Sequence, residues 1–242
     1  MICRRELLKV HFSRHDLGIR IIEGRVYVKN SDWFSYRFLL FDDIFCSDVI
    51  DGTFVIYPKD IQENKDFRLR LKLASIGESE RAKKVRALSY LQAKEDILFF
   101  FNIFLWTYDP RTEEKSLPFV TWDYQDEYIL RLNEEIENAV IEKGRQDEFT
   151  DKSRDMGVTW MVLGIFYHRW LFKRGEEFRI GSRKEDYVDK SGDMDSLFEK
   201  LRYFTQFMPN WMLPKGFDRR RNQPYMKIVN SENGCAIIGE AT

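Results

Sequence analysis

The sequence predicts an α/β fold, a parallel-sheet core preceded by a partly β amino-terminal appendage, and three observations predict it. An almost uninterrupted apolar stretch at 158–172 has the length of a buried helix and follows a glycine-containing loop. Residues 146–151 and 177–180 stand before and after this pair as strand positions, so the order is strand, loop, helix, strand, which an α/β core requires. Short β-type runs, 19–22, 25–28 and 53–57, are separated by turn residues in the first quarter of the chain.

The elements follow in order. The early strands belong to residues 1–85, which carry no recognised motif and form the appendage with its linker. Residues 59–95 are charge-rich, with Glu78, Glu80, Arg81, Lys83 and Lys84 clustered, and predict a linker and a solvated helix. Tyr124, Tyr128, Ile129, Leu132, Ile136 and Val140 recur at helical spacing, which predicts an amphipathic helix over 123–143 ending near Gly144. Met226 to Val229 and Cys235 to Ile238 predict a hairpin closed around Asn233 and Gly234. The segment at 146–151 is far more polar than a buried parallel strand should be. Either that strand is short and rescued by its surroundings, or the loop it feeds is impaired.

Composition bounds the function. With 39 basic and 40 acidic residues the net charge is −1, which argues against coating of the whole surface by nucleic acid. Cys3, Cys46 and Cys235 are odd in number, widely spaced and without a metal-ligand pattern, which fits a reducing compartment. The first residues lack the apolar core of a signal peptide, and the apolar run from Asp96 to Trp106 is too short to span a bilayer. The expectation is a soluble intracellular protein without membrane association.

The loop at 152–159, Lys-Ser-Arg-Asp-Met-Gly-Val-Thr, carries the chemistry. A standard phosphate-binding loop reads G-x-x-x-x-G-K-[ST], in which backbone amides cradle phosphates, lysine reaches the outer phosphates and a hydroxyl holds magnesium. Aligned on Gly157 and Thr159, Val158 takes the lysine seat and Lys152 takes the first glycine seat. An ammonium entering from the loop's first position can serve the same phosphates, and the helix that follows directs its positive dipole end at them. An ordinary loop leading into a helix is the competing reading.

In wider context the sequence resembles the ATPase domain of the large terminase subunit, the DNA-packaging motor of tailed bacteriophages. Residues 152–160, ending in Trp160, match that family's deviant loop throughout. Upstream, Phe104 to Arg111 and Leu117 to Gln125 are similar to the segment carrying the family's adenine-reading glutamine. Downstream, similar blocks occur at Ser182 to Glu185, at Gly192–Asp193 with Ser196 to Arg202, at Pro209 to Trp211, at Asn230 to Gly234 and at Ile238 to Ala241. The resemblance covers about residues 86–242 and implies a partial terminase-like ATPase domain with a P-loop NTPase-type parallel sheet.

The resemblance implies ATP and Mg2+ as ligands, bound by Gln125, Lys152, Ser153, Arg154, Asp155, Met156, Gly157, Val158 and Thr159. Lys152 takes the β- and γ-phosphates and Arg154 a second phosphate contact or sensor role; these two are the candidate catalytic residues. Thr159 is the candidate magnesium ligand, and the same hydroxyl can cap the helix when nucleotide is absent. Gln125 offers a donor and acceptor to adenine, or is an ordinary first-turn residue of the 123–143 helix. Asp155 beside phosphates is expected to pair with an arginine or to cap the loop.

Implied partners are double-stranded DNA, the portal, the small terminase subunit and further copies of the chain, in the cytoplasm of a bacterial host. The family's second acidic motif, an Asp-Glu pair for magnesium and water activation, follows the Gly239–Thr242 segment and is not reached before Thr242. The expectation is therefore nucleotide binding by a truncated domain whose own hydrolysis is uncertain, with no assignable arginine finger. Two alternatives stand: another helicase-like P-loop translocase, and a non-catalytic interaction module derived from this fold. Arg219, Arg220 and Arg221, flanked by Lys215 and Lys227, face either DNA phosphates, a neighbouring subunit or solvent. His11, His15 and His168 lack metal-completing partners and are expected to be structural.

Overall fold

The computed structural model describes residues 19–22, 25–29, 53–142, 147–153 and 155–241. The fold is mixed α/β, with small sheets, and divides between Ile103 and Phe104 into two compact units.

In the first unit, β1 (Ile19–Ile22), β2 (Arg25–Lys29) and β3 (Thr53–Pro58) form an antiparallel sheet in that order, as the β-type runs predict. The register shifts between Val26 and Tyr27, which leaves Ile56 as the extra residue of a bulge on β3. The charge-rich region that follows forms two helices, α1 (Ile61–Ala74) and α2 (Glu80–Glu95). Each has a side-chain cap: Asp60 accepts from Glu63 N at 3.0 Å and Ser79 from Ala82 N at 3.1 Å. Helix α1 buries Asn64, Phe67, Arg68 and Leu71, a stripe that charge counting hides because half of it is polar. Asn64 Nδ2 donates to the carbonyls of Pro58 and Asn102, while Arg68 donates to Asn64 Oδ1 at 2.7 Å and to the Asn102 carbonyl at 2.7 Å. This network ties the end of β3 and α1 to α3 (Ile97–Phe104), an almost wholly apolar helix.

The second unit begins with a hairpin of β4 (Trp106–Tyr108) and β5 (Ser116–Pro118). Helix α4 (Asp123–Glu142) and helix α5 (Val158–Phe172) agree with the predicted spans. Then come β6 (Glu177–Ser182), α6 (Glu185–Val188), α7 (Leu197–Phe207), α8 (Arg219–Asn222), β7 (Lys227–Val229) and β8 (Ala236–Ala241). The sheet order is β6-β8-β7: β6 and β8 run parallel, from Glu177 opposite Ala236 to Ser182 opposite Ala241, and β7 closes the predicted hairpin onto β8.

The expected strand at 146–151 is not formed where the chain is described: residues 147–151 have no strand pairing. Asp147, Glu148 and Asp151 are exposed. Carboxylates that can stay in water are not drawn into a parallel ladder whose two faces are normally buried. The parallel pairing seen among the described residues is the single β6/β8 ladder.

Helix α5 is the centre of this unit. Met161, Leu163, Ile165, Tyr167 and Trp170 are buried, Phe166 stacks on Phe178 of β6 at 4.4 Å, and Trp160 and Tyr167 meet Phe204 of α7 at 5.4 and 5.6 Å. His168 is buried with its ring against Phe172, a packing position as expected. Arg169 is fully buried and makes four hydrogen bonds: it forks onto Glu176 with two 2.7 Å bonds and reaches Glu137 at 2.9 Å and Asn133 at 3.2 Å on α4. A buried guanidinium persists only when it is paired and hydrogen-bonded in this way.

Candidate functional site

Helix α5 is entered through Gly157 in the left-handed region, φ 75°, with Asp155 at φ 64° two residues earlier. Among the described residues no side chain caps the helix start. The first bond of the helix runs from Met161 N to the Gly157 carbonyl at 3.0 Å, and among the described residues the N–H groups of Gly157, Val158, Thr159 and Trp160 meet no acceptor. Four successive donors at the positive end of a 15-residue helix are the electrostatic arrangement that accepts an anion.

The orientation of α5 follows from its other end. Asn230 Nδ2 and Asn233 Nδ2 each donate to the Trp170 carbonyl at 2.9 Å, just before β8, and Arg169 binds Glu176, just before β6. The C-terminus of α5 is thus held at the beginnings of both parallel strands.

The candidate residues divide. Lys152, Ser153 and Thr159 are exposed, and among the described residues Lys152 makes no ion pair. Met156, Gly157 and Val158 are half-buried. Arg154 lies outside the described residues, as do His11, His15, Cys3 and Cys46. Asp155 pairs with an arginine, one of its two expected roles: Arg111 Nη1 approaches Asp155 Oδ2 at 3.4 Å. Arg111 is itself forked by Asp109 through Nε–Oδ1 and Nη2–Oδ2 contacts of 2.9 Å. These hydrogen bonds hold the Asp109 carboxyl below its ordinary range. Among the described residues no group of three His, Cys, Asp or Glu side chains could hold a metal. Thr159 offers one exposed hydroxyl, which suits Mg2+ that takes most of its ligands from phosphate and water.

Gln125 is brought to the loop. It is 8% exposed, its Nε2 donates to the Met156 carbonyl at 3.2 Å and its Oε1 accepts from Trp122 N at 3.1 Å. Both ends of the amide are engaged, so a base contact has only the second N–H and second lone pair to use.

Three residues have roles here that the sequence reading did not assign. Arg111 stands across from the loop, and Tyr128 and Arg131 fasten the segment leading into it. Tyr128 Oη and Thr150 Oγ1 are 3.2 Å apart, and Arg131 forks onto Glu148 at 2.7 and 2.8 Å. Gln125, Tyr128 and Arg131 are spaced i, i+3, i+6, one face of α4, and that spacing was the available signal. Lys200 is a further cation nearby, over the Trp160 ring at 5.6 Å and donating to the Met194 carbonyl; burial pushes its ammonium below the usual lysine range. Arg219, Arg220 and Arg221 are exposed on α8, where Arg219 and Arg221 donate to the Thr205 and Gly216 carbonyls.

Among the described residues no helix is long and apolar enough to cross a membrane. A scan against models of known protein families finds no match, and a search of curated proteins finds none either.

Proposed function

We propose that residues 152–159 bind the phosphates of ATP with Mg2+, and that the chain is the ATP-binding part of a phage DNA-packaging motor of the large terminase type. The observation that carries this reading is the uncapped start of α5, where four backbone donors follow the lysine-bearing loop. A bound triphosphate would meet those amides and the exposed Lys152 ammonium, while Thr159 would supply a hydroxyl to magnesium. Arg154 keeps its proposed role as a second phosphate contact. The ordered sequence blocks from Phe104 to Ala241 support the terminase assignment, and with it double-stranded DNA, a portal, a small terminase subunit and further copies of the chain as partners.

A second reading is a non-catalytic binding module derived from this fold. It is favoured by the chain before the loop, since residues 147–151 form no strand where the phosphate-loop architecture has one. Calorimetric titration of the 242-residue chain with magnesium ATP separates the outcomes. Binding that is lost in Lys152→Ala supports the phosphate site; absence of binding, or binding indifferent to Lys152 and Thr159, overturns it. Binding without turnover fits both readings, since no residue here is assigned to activate water.

A further inference from the structure

We infer that Gln125 is a positioning residue for the loop, setting the peptide that carries the first amide donor at the start of α5. The inference rests on the phosphate-site reading for its consequence and on geometry for its cause.

Helix α4 begins at Asp123, so Trp122 precedes it and Gln125 is its third residue. The Oε1 bond from Trp122 N is the reciprocal half of a capping box, a role that glutamine and glutamate fill equally. The Nε2 bond to the Met156 carbonyl is different, because an amide can accept from one backbone group and donate to another, which a carboxylate cannot. In a trans peptide the carbonyl and the following N–H point in opposite directions. Drawing the Met156 carbonyl onto Gln125 therefore turns the Gly157 N–H away from α4, to the side where it meets no acceptor among the described residues.

Gly157 is part of the same device. A Cβ there would stand 3.1 Å from Gln125 Nε2, and its φ of 75° disfavours any side chain. Gln125 and Gly157 are thus matched: the glycine leaves room for the amide, and the amide holds the glycine's peptide in the orientation that offers its donor outward. Because Oε1 is anchored by Trp122 N, the amide cannot turn over without losing both bonds.

The test compares wild type, Gln125→Ala and Gln125→Glu. Glutamate keeps the capping half and loses the donor half, so it separates helix capping from loop positioning. Two measurements are made: amide hydrogen exchange without ligand at Met161, whose N–H bonds the Gly157 carbonyl, and titration with magnesium ATP, GTP and inorganic tripolyphosphate. Both variants are expected to speed exchange at Met161, because the Met156–Gly157 peptide loses its anchor. Affinity for all three probes should fall by the same factor, roughly three- to tenfold for one lost hydrogen bond. Wild-type exchange in Gln125→Glu would reduce the residue to a cap and overturn the inference. Loss for ATP alone, with tripolyphosphate affinity intact, would overturn it in favour of base reading. If wild type binds none of the probes, the phosphate reading fails and the exchange measurement alone decides the positioning role.

Discussion

The side-chain amide of Asn230 donates to the Trp170 carbonyl at 2.9 Å, with Asn230 2% exposed. Asn233 donates to the same oxygen and, at 3.3 Å, to Leu171 O, so the turn between β7 and β8 supplies the donors that the last turn of α5 lacks. Asn230→Ala leaves a buried carbonyl poorly satisfied and also removes the acceptor for Glu232 N and Asn233 N. Destabilisation of about 1–3 kcal/mol is expected in urea unfolding, with the transition staying cooperative.

Gly239 is set by packing. A Cβ there would lie 2.8 Å from both Phe198 Cε2 and Val188 Cγ1 and 3.1 Å from Met226 Cβ. Gly239→Ala should cost about 1–3 kcal/mol through overpacking, read as a lower Tm. Gly192→Ala, where a Cβ meets nothing but φ is 81°, separates packing from backbone strain as the comparison variant.

Lys152→Ala should leave the Tm unchanged, because the side chain is exposed and makes no ion pair among the described residues. Affinity for magnesium ATP should fall by roughly tenfold or more, the loss of a charged hydrogen bond to phosphate. An unchanged affinity would remove the lysine from the site.

Acid should weaken the junction of α4 and α5. At Glu137 burial opposes ionisation, but hydrogen bonds from Lys173 at 2.7 Å and Arg169 at 2.9 Å outweigh it, so its carboxyl is held below the ordinary range. A depressed folded value means that the stabilisation is complete above the unfolded value of about 4.3 and is lost as pH falls through the folded one. Urea midpoints between about pH 6 and pH 3 should fall, and Glu137→Gln should flatten part of that slope.

The legible parts of this chain are those written in local pattern. Helices α4 and α5, the early strands and the β7/β8 hairpin follow from apolar spacing and turn residues, because backbone geometry alone decides which residues share a face. The entry to α5 at Gly157 was equally visible, since a glycine just ahead of an apolar helical run marks a boundary. The polar run at 147–151 warned correctly that a strand there would have to bury carboxylates, and no strand forms.

Only the tertiary structure decided what the polar side chains do. Gln125 is an ordinary first-turn residue until a carbonyl 31 positions later comes within 3.2 Å of its amide. Asn230 and Asn233 read as turn formers, and their service to α5 appears only because the strands on either side of them bring that turn to the helix end. Arg169 interrupts an apolar helix in sequence and becomes its anchor when α4 and the approach to β6 deliver two carboxylates. Periodicity specifies faces, whereas hydrogen-bond partners are specified by distance. Distances between segments far apart in sequence exist only once packing has excluded water and left each buried donor to find its acceptor.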